Sequence, residues 1–520
     1  MMAAGQVGAD PWPHYGGHLD GRRYVSSTIL TPENTQDLKQ AWVFRTGDVA
    51  NGGDEYFGRT SSFKATPILI DGKLVFSSGF NRVYAINPVT GKELWRFDPG
   101  VNFARRYSEM FTSRGVAGWV DRQADRNSIC ASRIFLGTLD ARLIAIDARS
   151  GKKCSAFGEQ GAIDLSKGIR NFRRGEYSLT SPPTIVKGLV IVGSSIGDNG
   201  GAQMESGTVR AFDARTGELR WAFDPIPRDP DSPGWSTWKG KSALQTGAAN
   251  VWGVMAADPG RDLVFLPTTS PSPDFYGGER LGDNAYANSI VALRASTGEF
   301  VWAYQLVRHD LWDYDLAAQP MLVDIDRAGE SVPALLQATK MGFVFVLDRR
   351  TGKPLNSVEE RPVPASAVPG EIAAKAQKFP MLKLHAFSDE LPPIWQHSPE
   401  HVEACRNMLE GVRFEGIYTP PSLAGTLLYP GNPGGVNWGS MAAHERRGLA
   451  FVVVNRLPTV VKVIPRRQFR KQSNDGVFNG VEAQFTSQSG TPYGMARFEL
   501  FNRANTLPCL EGPWATLVAI

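Results

Sequence analysis

Acidic residues are concentrated in one short stretch of this chain, Arg308–Pro320, where Asp310, Asp313 and Asp315 fall within six positions. In an extended segment alternate side chains share a face, so Asp313 and Asp315 are expected to point the same way. Neighbouring carboxylates repel each other, and a lysine such as Lys340 or a hard divalent cation relieves that repulsion. The stretch therefore predicts a charged site, and the competing interpretation is a solvated acidic turn between two strands.

The composition is that of a soluble globular protein: 520 residues, 42% hydrophobic and 21% charged, with a formal net charge of +4. Apart from Pro465–Lys471 the basic residues are scattered, which argues against a nucleic-acid surface. No apolar run approaches the roughly 18 residues of a membrane-spanning helix. Met1–Gly17 lacks the basic start and apolar stretch of a signal peptide, so none is predicted.

The four cysteines, Cys130, Cys154, Cys405 and Cys509, show no C-x-x-C spacing. This pattern argues against a zinc or iron–sulfur site. Two disulfides in an oxidising compartment and buried free thiols are both compatible with it.

A repeated pattern supplies the elements that must position the acidic stretch. Each copy is an apolar strand, a Thr-Gly or Ser-Gly turn, and a second strand that often carries Trp; glycine supplies the positive φ that such turns need. The five copies are Ala85–Trp95, Ala145–Cys154, Ala211–Trp221, Ala292–Trp302 and Val346–Leu355.

Further alternating strand pairs precede most copies, for example Ala65–Ser78 and Ser181–Ser195. Two hairpins per repeat make a four-stranded sheet, and such sheets arranged radially form a β-propeller, so the predicted fold class is all-β. A stack of separate sandwich domains is the alternative, which the lack of linker-like stretches between copies disfavours.

Residues 1–520 are predicted to form one domain, with 359–417 inserted into the repeat series. Within the insertion, Ser398–Gly411 is predicted to form a short helix capped by Ser398. Strands are expected to resume at Thr426–Asn432 and Leu449–Asn455. Leu38–Asp48 resembles a single blade strand, and the sequence stops where another Thr-Gly turn is expected, so the final blades are predicted to be missing and an edge left open.

Together, the Thr-Gly-x-x-x-Trp turns, H-D-L-W-D-Y-D-L-A-A-Q-P and K-M-G-F-V-F-V-L-D-R-R-T-G resemble the pyrroloquinoline quinone (PQQ) dehydrogenases, specifically the glucose/quinate/shikimate group. The resemblance extends from Trp12 to Cys509. It implies an eight-bladed propeller with PQQ and a divalent cation, calcium or magnesium, on its axis.

The resemblance also implies residue roles. Asp313 matches the catalytic aspartate and also lies at the cation, Lys340 matches the lysine at the quinone oxygens, and Asp198 with Asn199 matches the acid–amide pair that binds the cation. The positions that match cofactor contacts are Arg114, Thr180, Ser195, Trp252, Lys340 and Asn455.

The chemistry suits these residue types. An ionised Asp313 can take the hydroxyl proton of an alcohol as its hydride passes to the quinone. The cation and Lys340 would stabilise the developing negative charge, and Trp252 offers a flat face to an aromatic ring.

Each residue also has an ordinary structural interpretation. Trp252 could fill the core, Asp198 and Asn199 could form a hairpin turn, and Arg114 or Lys340 could be solvated. Thr180, Ser195 and Asn455 could be routine polar groups of turns and strands. The agreement of all these positions with one family pattern favours the catalytic interpretation of Asp313.

Three departures from the family pattern matter. Met110 stands where glucose-type members carry a substrate-side His, and Ser113 replaces a Cys, so glucose itself is in doubt as the substrate. The membrane-anchoring helices of the glucose and quinate enzymes are missing, which favours a soluble type. The contacts that the final blades provide in the family are missing as well.

The sequence thus predicts a PQQ-dependent oxidoreductase that oxidises a polyol, sugar or cyclic alcohol and passes electrons to a quinone or cytochrome. A periplasmic or secreted location is implied by the resemblance alone. The alternatives are a non-catalytic propeller scaffold and an inactive truncated copy of the enzyme.

Overall fold

The computed structural model describes residues 12–25, 29–53, 58–384 and 390–520. Most of Met1–Gly17, for which no signal peptide is predicted, lies outside the described residues, as do residues 385–389 of the predicted insertion. None of the helices among the described residues is long and apolar enough to cross a membrane.

Five four-stranded antiparallel sheets follow one another along the chain, each with its strands in sequence order. The first comprises β1 (Ile68–Ile70), β2 (Lys73–Ser77), β3 (Val83–Ile86) and β4 (Glu93–Phe97). The second comprises β5 (Ala117–Val120), β6 (Ser132–Gly137), β7 (Arg142–Asp147) and β8 (Ala162–Asp164). The third comprises β10 (Thr184–Val186), β11 (Leu189–Val192), β13 (Val209–Asp213) and β14 (Leu219–Phe223), with the small pair β9 (Tyr177–Ser178) and β12 (Ser195–Ile196) beside it.

The fourth sheet comprises β15 (Ala256–Asp258), β16 (Leu263–Pro267), β17 (Ser289–Arg294) and β18 (Phe300–Gln305). The fifth comprises β19 (Met321–Arg327), β20 (Glu330–Ala338), β21 (Phe343–Asp348) and β24 (Leu382–Lys383). The first strand of each sheet contacts the first strand of the next, from β1 through β5, β10 and β15 to β19. This radial order confirms the predicted all-β propeller, and the five sheets are its first five blades.

The repeated turns join neighbouring blades. Gly298 has φ of +75°, and a Cβ added there would lie 2.7 Å from the ring of Trp221 on the preceding blade. Trp221 also donates its indole N–H to Ala295 O at 3.0 Å. Trp302 makes the equivalent contacts with Gly352 and Arg349 O. The Gly of the repeat is therefore required both by its positive φ and by the Trp that covers it.

Two more sheets follow the fifth blade. A three-stranded sheet of β26 (Met441–His444), β27 (Leu449–Asn455) and β35 (Ala515–Ala519) shares an apolar core with that blade. A four-stranded sheet has the order β25-β28-β32-β31 and packs against Trp312 and Tyr314 of the acidic stretch. Its strands are β25 (Thr426–Leu428), β28 (Thr459–Pro465), β31 (Gln484–Thr486) and β32 (Tyr493–Glu499).

The remaining elements are short. Two hairpins are formed by β29 (Val477–Phe478) with β30 (Val481–Glu482) and by β33 (Phe501–Asn502) with β34 (Leu507–Pro508). The helices are α1 (Ser242–Gln245), α2 (Pro399–Met408) and α3 (Arg466–Asp475).

The segment 359–417 is not wholly separate from the repeat series. It contains most of a hairpin of β22 (Val358–Pro362) and β23 (Ala376–Pro380), but it also supplies β24, the outer strand of the fifth blade. Helix α2 lies where the sequence predicts a helix, and the Ser398 side chain accepts a hydrogen bond from the N–H of His401 as its cap.

Leu38–Asp48 forms no strand, contrary to the prediction, although the structure describes all of it. It still fills the place of a neighbouring blade's outer strand. The Trp42 ring covers Gly91 of the first blade and its indole N–H donates to Pro88 O at 3.0 Å. Trp42 thus packs on the Gly91 turn as the Trp residues of the repeat pack on theirs, although the segment around Trp42 does not pair as a strand.

All four cysteines are paired in the structure, as Cys130–Cys154 and Cys405–Cys509. The first bond lies in the second blade, at a copy of the repeat that has Ser155 in place of the Trp and Cys154 directly before it. The second ties helix α2 to the segment that follows β34. Of the two possibilities left open by the sequence, the structure shows the disulfides.

Candidate active site

Asp313 and Lys340 lie in direct contact. Asp313 follows the fourth blade, in the loop between β18 and β19, and Lys340 lies in the turn between β20 and β21 of the fifth. The Lys340 ammonium donates to Asp313 Oδ1 at 2.8 Å and to the Asp313 carbonyl oxygen at 2.6 Å. Two adjacent blades thus bring together the acid and the lysine that the sequence proposes as a pair.

The loop that carries Asp313 is held by Asp310. The Asp310 carboxylate accepts hydrogen bonds from the N–H groups of Trp312 and Tyr314, at 3.0 and 2.8 Å, and from Asn288 at 2.9 Å. These bonds fold the segment into a turn in which Asp313 has φ of +59°. The predicted extended conformation is therefore wrong, because the Asp310 carboxylate satisfies the backbone N–H groups locally.

Asp315 nevertheless faces the Lys340 ammonium, as Asp313 does. Its Oδ2 lies 3.7 Å from Lys340 Nζ, and its Oδ1 accepts from the Ser270 N–H at 2.7 Å. Burial raises the pKa of Asp315 to about 6, although Lys340 opposes that change. Burial alone would lower the pKa of Lys340, but Asp313 and Asp315 outweigh it and the pKa is raised. Lys340 is therefore a buried ammonium between two acids.

The second oxygen of Asp313 is bound from the opposite side. Asn432 Nδ2 donates to Asp313 Oδ2 at 3.1 Å, and the Arg497 guanidinium reaches the same atom at 3.2 Å. Arg497 lies on β32, in the sheet that packs over the acidic stretch. The Asp313 carboxylate is thus held between two positively charged side chains, which fix its orientation.

Asp198 and Asn199 lie in a single 3₁₀ turn, Asp198–Gly200, that follows β12. Burial, with Asp315 and Asp313 as the largest neighbouring charges, raises the pKa of the Asp198 carboxyl well above its usual range. Among the described residues, Asn199 Oδ1 is buried without a hydrogen-bond donor. Here a carboxylate faces other acids and lies next to an amide oxygen that has no donor. Such a pair of oxygen ligands is suited to binding a hard cation.

These residues open onto one cavity of about 500 Å³. Its wall includes residues of the segments between the successive blades, from the first to the fifth, and residues of β31 and β32. The titratable residues that line it are Arg59, Arg106, Glu109, Glu176, Asp198, Asp274, Asp313, Asp315 and Arg497. The volume lies within the range of a small-molecule or cofactor site.

An aromatic and cationic wall borders the acids. The Arg114 guanidinium lies 3.3 Å from the ring centre of Trp438 and 5.4 Å from that of Trp252, and the two indoles meet edge-on at 4.9 Å. Arg114 NH1 donates to Thr180 Oγ1 at 2.8 Å, and burial lowers the pKa of Arg114 to about 10. Trp252 lines the cavity, and Lys340 Nζ lies 6.0 Å from its ring centre.

Ser195 and Asn455, the other two matched positions, differ in their location. Ser195 lines the cavity and donates to Glu109 Oε1 at 2.8 Å. Asn455 ends β27 outside the cavity wall; its N–H donates to Gly435 O, and the Gly435 N–H donates to Lys340 O. Of the other matched residues, Arg114, Thr180 and Lys340 do not line the cavity themselves, but Arg114 contacts Trp252 and Thr180, and Lys340 contacts Asp313. Asn455 is connected to Lys340 only through the backbone of Gly435.

Several buried polar atoms at this site have no partner among the described residues. They are Arg114 Nε, Trp252 Nε1, Asn199 Oδ1 and Asp274 Oδ1. Orphaned donors on the aromatic wall and orphaned oxygens among the acids fit a polar aromatic cofactor and a cation, respectively. No three His, Cys, Asp or Glu side chains of the described segments are spaced to hold a metal unaided. An ion here would need amide or cofactor oxygens in addition.

The sequence analysis missed four contributors: Trp438, Asn432, Asp274 and Arg497. Asn432 ends the strand predicted at Thr426–Asn432, Trp438 lies between the two predicted strands, and Asp274 lies in a Pro-rich loop. Arg497 carries no motif, and its approach depends on how the last four-stranded sheet folds over the loop. None of these four residues lies in the Trp-Gly repeat or in the W-D motif, so neither pattern could identify them.

Comparison with known proteins agrees with this geometry. The family model described as "PQQ: Glucose/ethanol/alcohol dehydrogenase, beta-propeller domain" matches residues 12–520. The chain is 36% identical to the quinoprotein glucose dehydrogenase of Escherichia coli, over 100% of this chain and 65% of that protein. It is 35% identical to the quinate/shikimate dehydrogenase (quinone) of Acinetobacter baylyi, over 98% of this chain and 64% of that protein.

A solved structure gives the same result. The quinohemoprotein alcohol dehydrogenase from Comamonas testosteroni superposes with a TM-score of 0.66 at 25% identity, covering 98% of this chain and 65% of the other. The chain spans about two thirds of the length of these relatives. With a propeller of antiparallel four-stranded blades and a family model matched over nearly its whole length, this chain belongs to the PQQ-dependent glucose/ethanol/alcohol dehydrogenase β-propeller family.

Proposed function

We propose that this chain uses PQQ to oxidise the CH–OH group of a polyol, sugar or cyclic alcohol and passes the electrons to a quinone or cytochrome. The contact of Lys340 with Asp313, whose side chain lines the cavity, carries the proposal, because it places a base and a fixed positive charge side by side. PQQ, when bound, supplies the two-electron acceptor for the substrate hydride.

Asp313 acts as the base. A carboxylate offers about four lone-pair positions, and Lys340, Asn432 and Arg497 take three of them on Asp313. The remaining position is on Oδ1, which would accept the substrate proton while Arg497 and Asn432 hold Oδ2; the cation would bind Asp313 in place of one of these donors. General base catalysis of this kind contributes roughly 10²–10⁴-fold to the rate.

Lys340 holds the base and faces the cofactor. An ammonium has three N–H donors, and two of them are engaged by the carbonyl oxygen and Oδ1 of Asp313. The third has no hydrogen-bond acceptor among the described residues, with Asp315 Oδ2 at 3.7 Å, and would donate to a quinone oxygen. Because Lys340 is buried between two acids, it stays charged at neutral pH and can stabilise negative charge as it develops.

The remaining matched residues form the proposed cofactor cradle. Trp252 gives a flat face, Arg114 offers its unpartnered Nε to an anionic group, and Thr180 fixes the Arg114 guanidinium. Ser195 lies on the same wall. Asn455 is supported by the resemblance alone, since its side chain does not line the cavity.

Asp198, Asn199 and Asp313 would hold the calcium or magnesium ion. The ion would act as a Lewis acid toward the quinone carbonyl. Its charge would also oppose the effects of burial and of the neighbouring Asp315 and Asp313, which raise the pKa of Asp198. The unpartnered Asn199 Oδ1 supports this assignment.

The substrate is proposed to differ from glucose. Met110 stands at the position matched to a substrate-side His, is 38% exposed, and contacts the Thr60 hydroxyl through its sulfur at 3.5 Å. Ser113 is buried against Ser77, at 2.7 Å between the hydroxyl oxygens. A thioether cannot exchange protons as an imidazole can, so substrate recognition on this side must be different.

The two disulfides support the proposed location. Disulfides form and persist in oxidising compartments. Both pairs here are buried at places where they join separate elements of the fold. The chain is therefore proposed to work in the periplasm or outside the cell.

Reconstitution tests the proposal. The purified chain is titrated with PQQ and CaCl₂, and reduction of an artificial electron-accepting dye is measured with polyols, sugars and cyclic alcohols. Asp313→Asn and the exposed control Asp231→Asn are assayed beside it. We expect PQQ-dependent turnover that Asp313→Asn abolishes and Asp231→Asn retains. Turnover unchanged in Asp313→Asn would refute the role of the base, and failure to bind PQQ would favour a propeller scaffold.

A further inference from the structure

A buried contact between an acid and a histidine joins the segment 359–417 to the start of the acidic stretch. Glu371 Oε1 lies 2.7 Å from His309 Nε2, and the two side chains are only 3% and 1% exposed. Glu371 lies in the connection between β22 and β23, whereas His309 precedes Asp313 in the loop between β18 and β19. The reaction proposed above uses neither Glu371 nor His309, and burying such polar groups is costly, so the contact calls for an explanation.

The partners of both side chains define how the contact is made. His309 Nδ1 donates to the Gly282 carbonyl oxygen at 2.8 Å, since that oxygen can only accept. The Glu371 carboxylate also accepts from the N–H of Gly277 and from that of Ile372, the latter at 2.8 Å. Burial would raise the pKa of Glu371, but its contacts with His309 and with the Gly277 N–H outweigh burial and lower it. An ionised carboxylate only accepts, so His309 Nε2 donates as well.

The same segment also holds the residue before His309. Gln377 Oε1 accepts from the Arg308 N–H at 3.0 Å, and Gln377 Nε2 donates to the Arg308 carbonyl oxygen at 2.7 Å. The Arg308 guanidinium is paired with Glu360 at 2.6 Å. Glu360 lies on β22 and Gln377 on β23. The hairpin and its connection thus fix the chain at the point where it enters the acidic stretch.

His309 leads directly into the turn that carries Asp313. His309 has φ of +46° and Asp313 has φ of +59°, a region of backbone conformation that residues other than glycine rarely adopt. The residue after His309 is Asp310, whose carboxylate shapes the turn through its backbone N–H groups. A strained conformation persists only where the surrounding contacts hold it. At His309 the ring contacts with Glu371 and Gly282 provide that restraint.

We propose that Glu371 is a positioning residue for the base, Asp313. Glu371 holds the His309 ring, and His309 in turn sets the backbone at which the Asp313 turn begins. This inference rests on the proposed function, in which Asp313 takes the substrate proton. Glu371 is not among the described residues that line the cavity, so its effect is indirect. Because a displacement of about 1 Å can cost roughly 10²-fold in rate, loss of the contact should slow proton transfer without weakening binding.

Hydrogen exchange in the chain without PQQ tests the restraint on the turn. A peptide that contains residues 308–316 is followed by mass spectrometry in the wild type, Glu371→Gln and the control Glu359→Gln. Glu359 lies in the same segment, but its carboxylate is exposed and pairs with Arg361 on the surface. We expect exchange in this peptide to be roughly tenfold faster in Glu371→Gln and unchanged in Glu359→Gln. Exchange that is no faster in Glu371→Gln than in the wild type would overturn the inference.

Kinetics of the loaded chain separate positioning from a merely structural role. Glu371→Gln, His309→Asn and the double variant are reconstituted with PQQ and CaCl₂, and kcat is expressed per bound PQQ. Asn tolerates positive φ but is too short to reach Glu371 as His309 does. We expect kcat to fall about tenfold or more in each single variant, with KM and the PQQ Kd unchanged. The double variant should lose no more than His309→Asn alone, because both changes break one contact. Fully additive losses, or losses that appear as a higher KM, would contradict the positioning role.

A conservative variant covers the case in which Glu371→Gln fails to fold. Glu371→Asp keeps the charge but withdraws it by one methylene, so kcat is expected to fall in the same direction by a smaller factor. A wild-type kcat in Glu371→Asp would then refute the inference. If the wild type oxidises no alcohol, the proposed function falls, and the exchange measurement still decides whether Glu371 restrains the turn.

Discussion

Lys340 Nζ lies 2.6 Å from the carbonyl oxygen of Asp313 and 2.8 Å from its Oδ1, so a single ammonium binds both the backbone and the side chain of one residue. That residue has φ of +59° in a buried turn. The lysine therefore stabilises the turn and, at the same time, orients the carboxylate toward the cavity. The same contact links the fourth blade to the fifth.

Replacement of this lysine tests the double role. Lys340→Met is expected to lower dye reduction about 10²–10³-fold, as loss of a preorganised charge donor does. Because Lys340 opposes the burial that raises the pKa of Asp315 to about 6, its loss should destabilise the chain more at pH 8, above that pKa, than at pH 5, below it. Equal destabilisation at both values would contradict this account. Lys353→Met, at an exposed position, is the control.

The pH dependence of stability follows from Asp315. Its pKa of about 6 in the folded state exceeds that of an unfolded aspartate, so between these values the folded chain binds more protons. Its contribution therefore favours folding at low pH and is lost as pH rises toward 6. Relative to Asp315→Asn, metal-free wild type should lose stability from pH 4 to 6 in denaturant titrations. A difference that stays constant or changes in the opposite direction would refute the assignment.

The turns of the repeat allow a matched pair of glycine substitutions. Gly298→Ala places a Cβ 2.7 Å from Trp221, whereas Gly329→Ala has open space around its Cβ; both have positive φ, at +75° and +85°. The two variants share a backbone penalty of roughly 1–2 kcal/mol. Gly298→Ala should lower the free energy of unfolding by more, because the indole must move. Equal losses would show that the Trp contact contributes little.

The Cys405–Cys509 disulfide spans 104 residues of chain. Its replacement by two serines is expected to reduce the free energy of unfolding by about 2–5 kcal/mol, because the unfolded chain gains freedom. Cys130–Cys154 spans 24 residues, and its removal should cost less on the same reasoning. Denaturant midpoints of the two double variants provide the comparison. A larger loss in the free energy of unfolding for the shorter loop would mean that packing around the bond outweighs the freedom gained by the unfolded chain.

Periodicity and glycine placement were sufficient to predict the fold class. The Trp and Gly positions of the repeat, such as Trp221 and Gly298, are local in sequence and repeat across blades, so the propeller could be inferred from them. The strand predicted at Leu38–Asp48 failed because strand pairing depends on a partner, whereas the docking of Trp42 does not. The insertion 359–417 concealed β24, since a two-residue strand has no recognisable pattern.

The site was predictable only where residues carry a family pattern. Asp313, Lys340 and Asp198 lie in such motifs; in the structure Asp313 and Asp198 line one cavity, and Lys340 contacts Asp313. Arg497 comes from a sheet late in the chain, and its contact with Asp313 is a consequence of tertiary packing. The direction of Asp313 was inferred from strand alternation, but Asp310 sets it through hydrogen bonds to the backbone N–H groups of the turn.

The central claim is that Asp313 takes the substrate proton at a PQQ site within this cavity. The most direct measurement is a single turnover: the chain is loaded with PQQ and CaCl₂ under anaerobic conditions, an alcohol is added, and the loss of oxidised quinone absorbance is followed. We predict rapid loss in the wild type and a rate about 10²-fold or more lower in Asp313→Asn at equal PQQ occupancy. Equal rates in the two proteins, or no loss in loaded wild type with any alcohol, would contradict the claim.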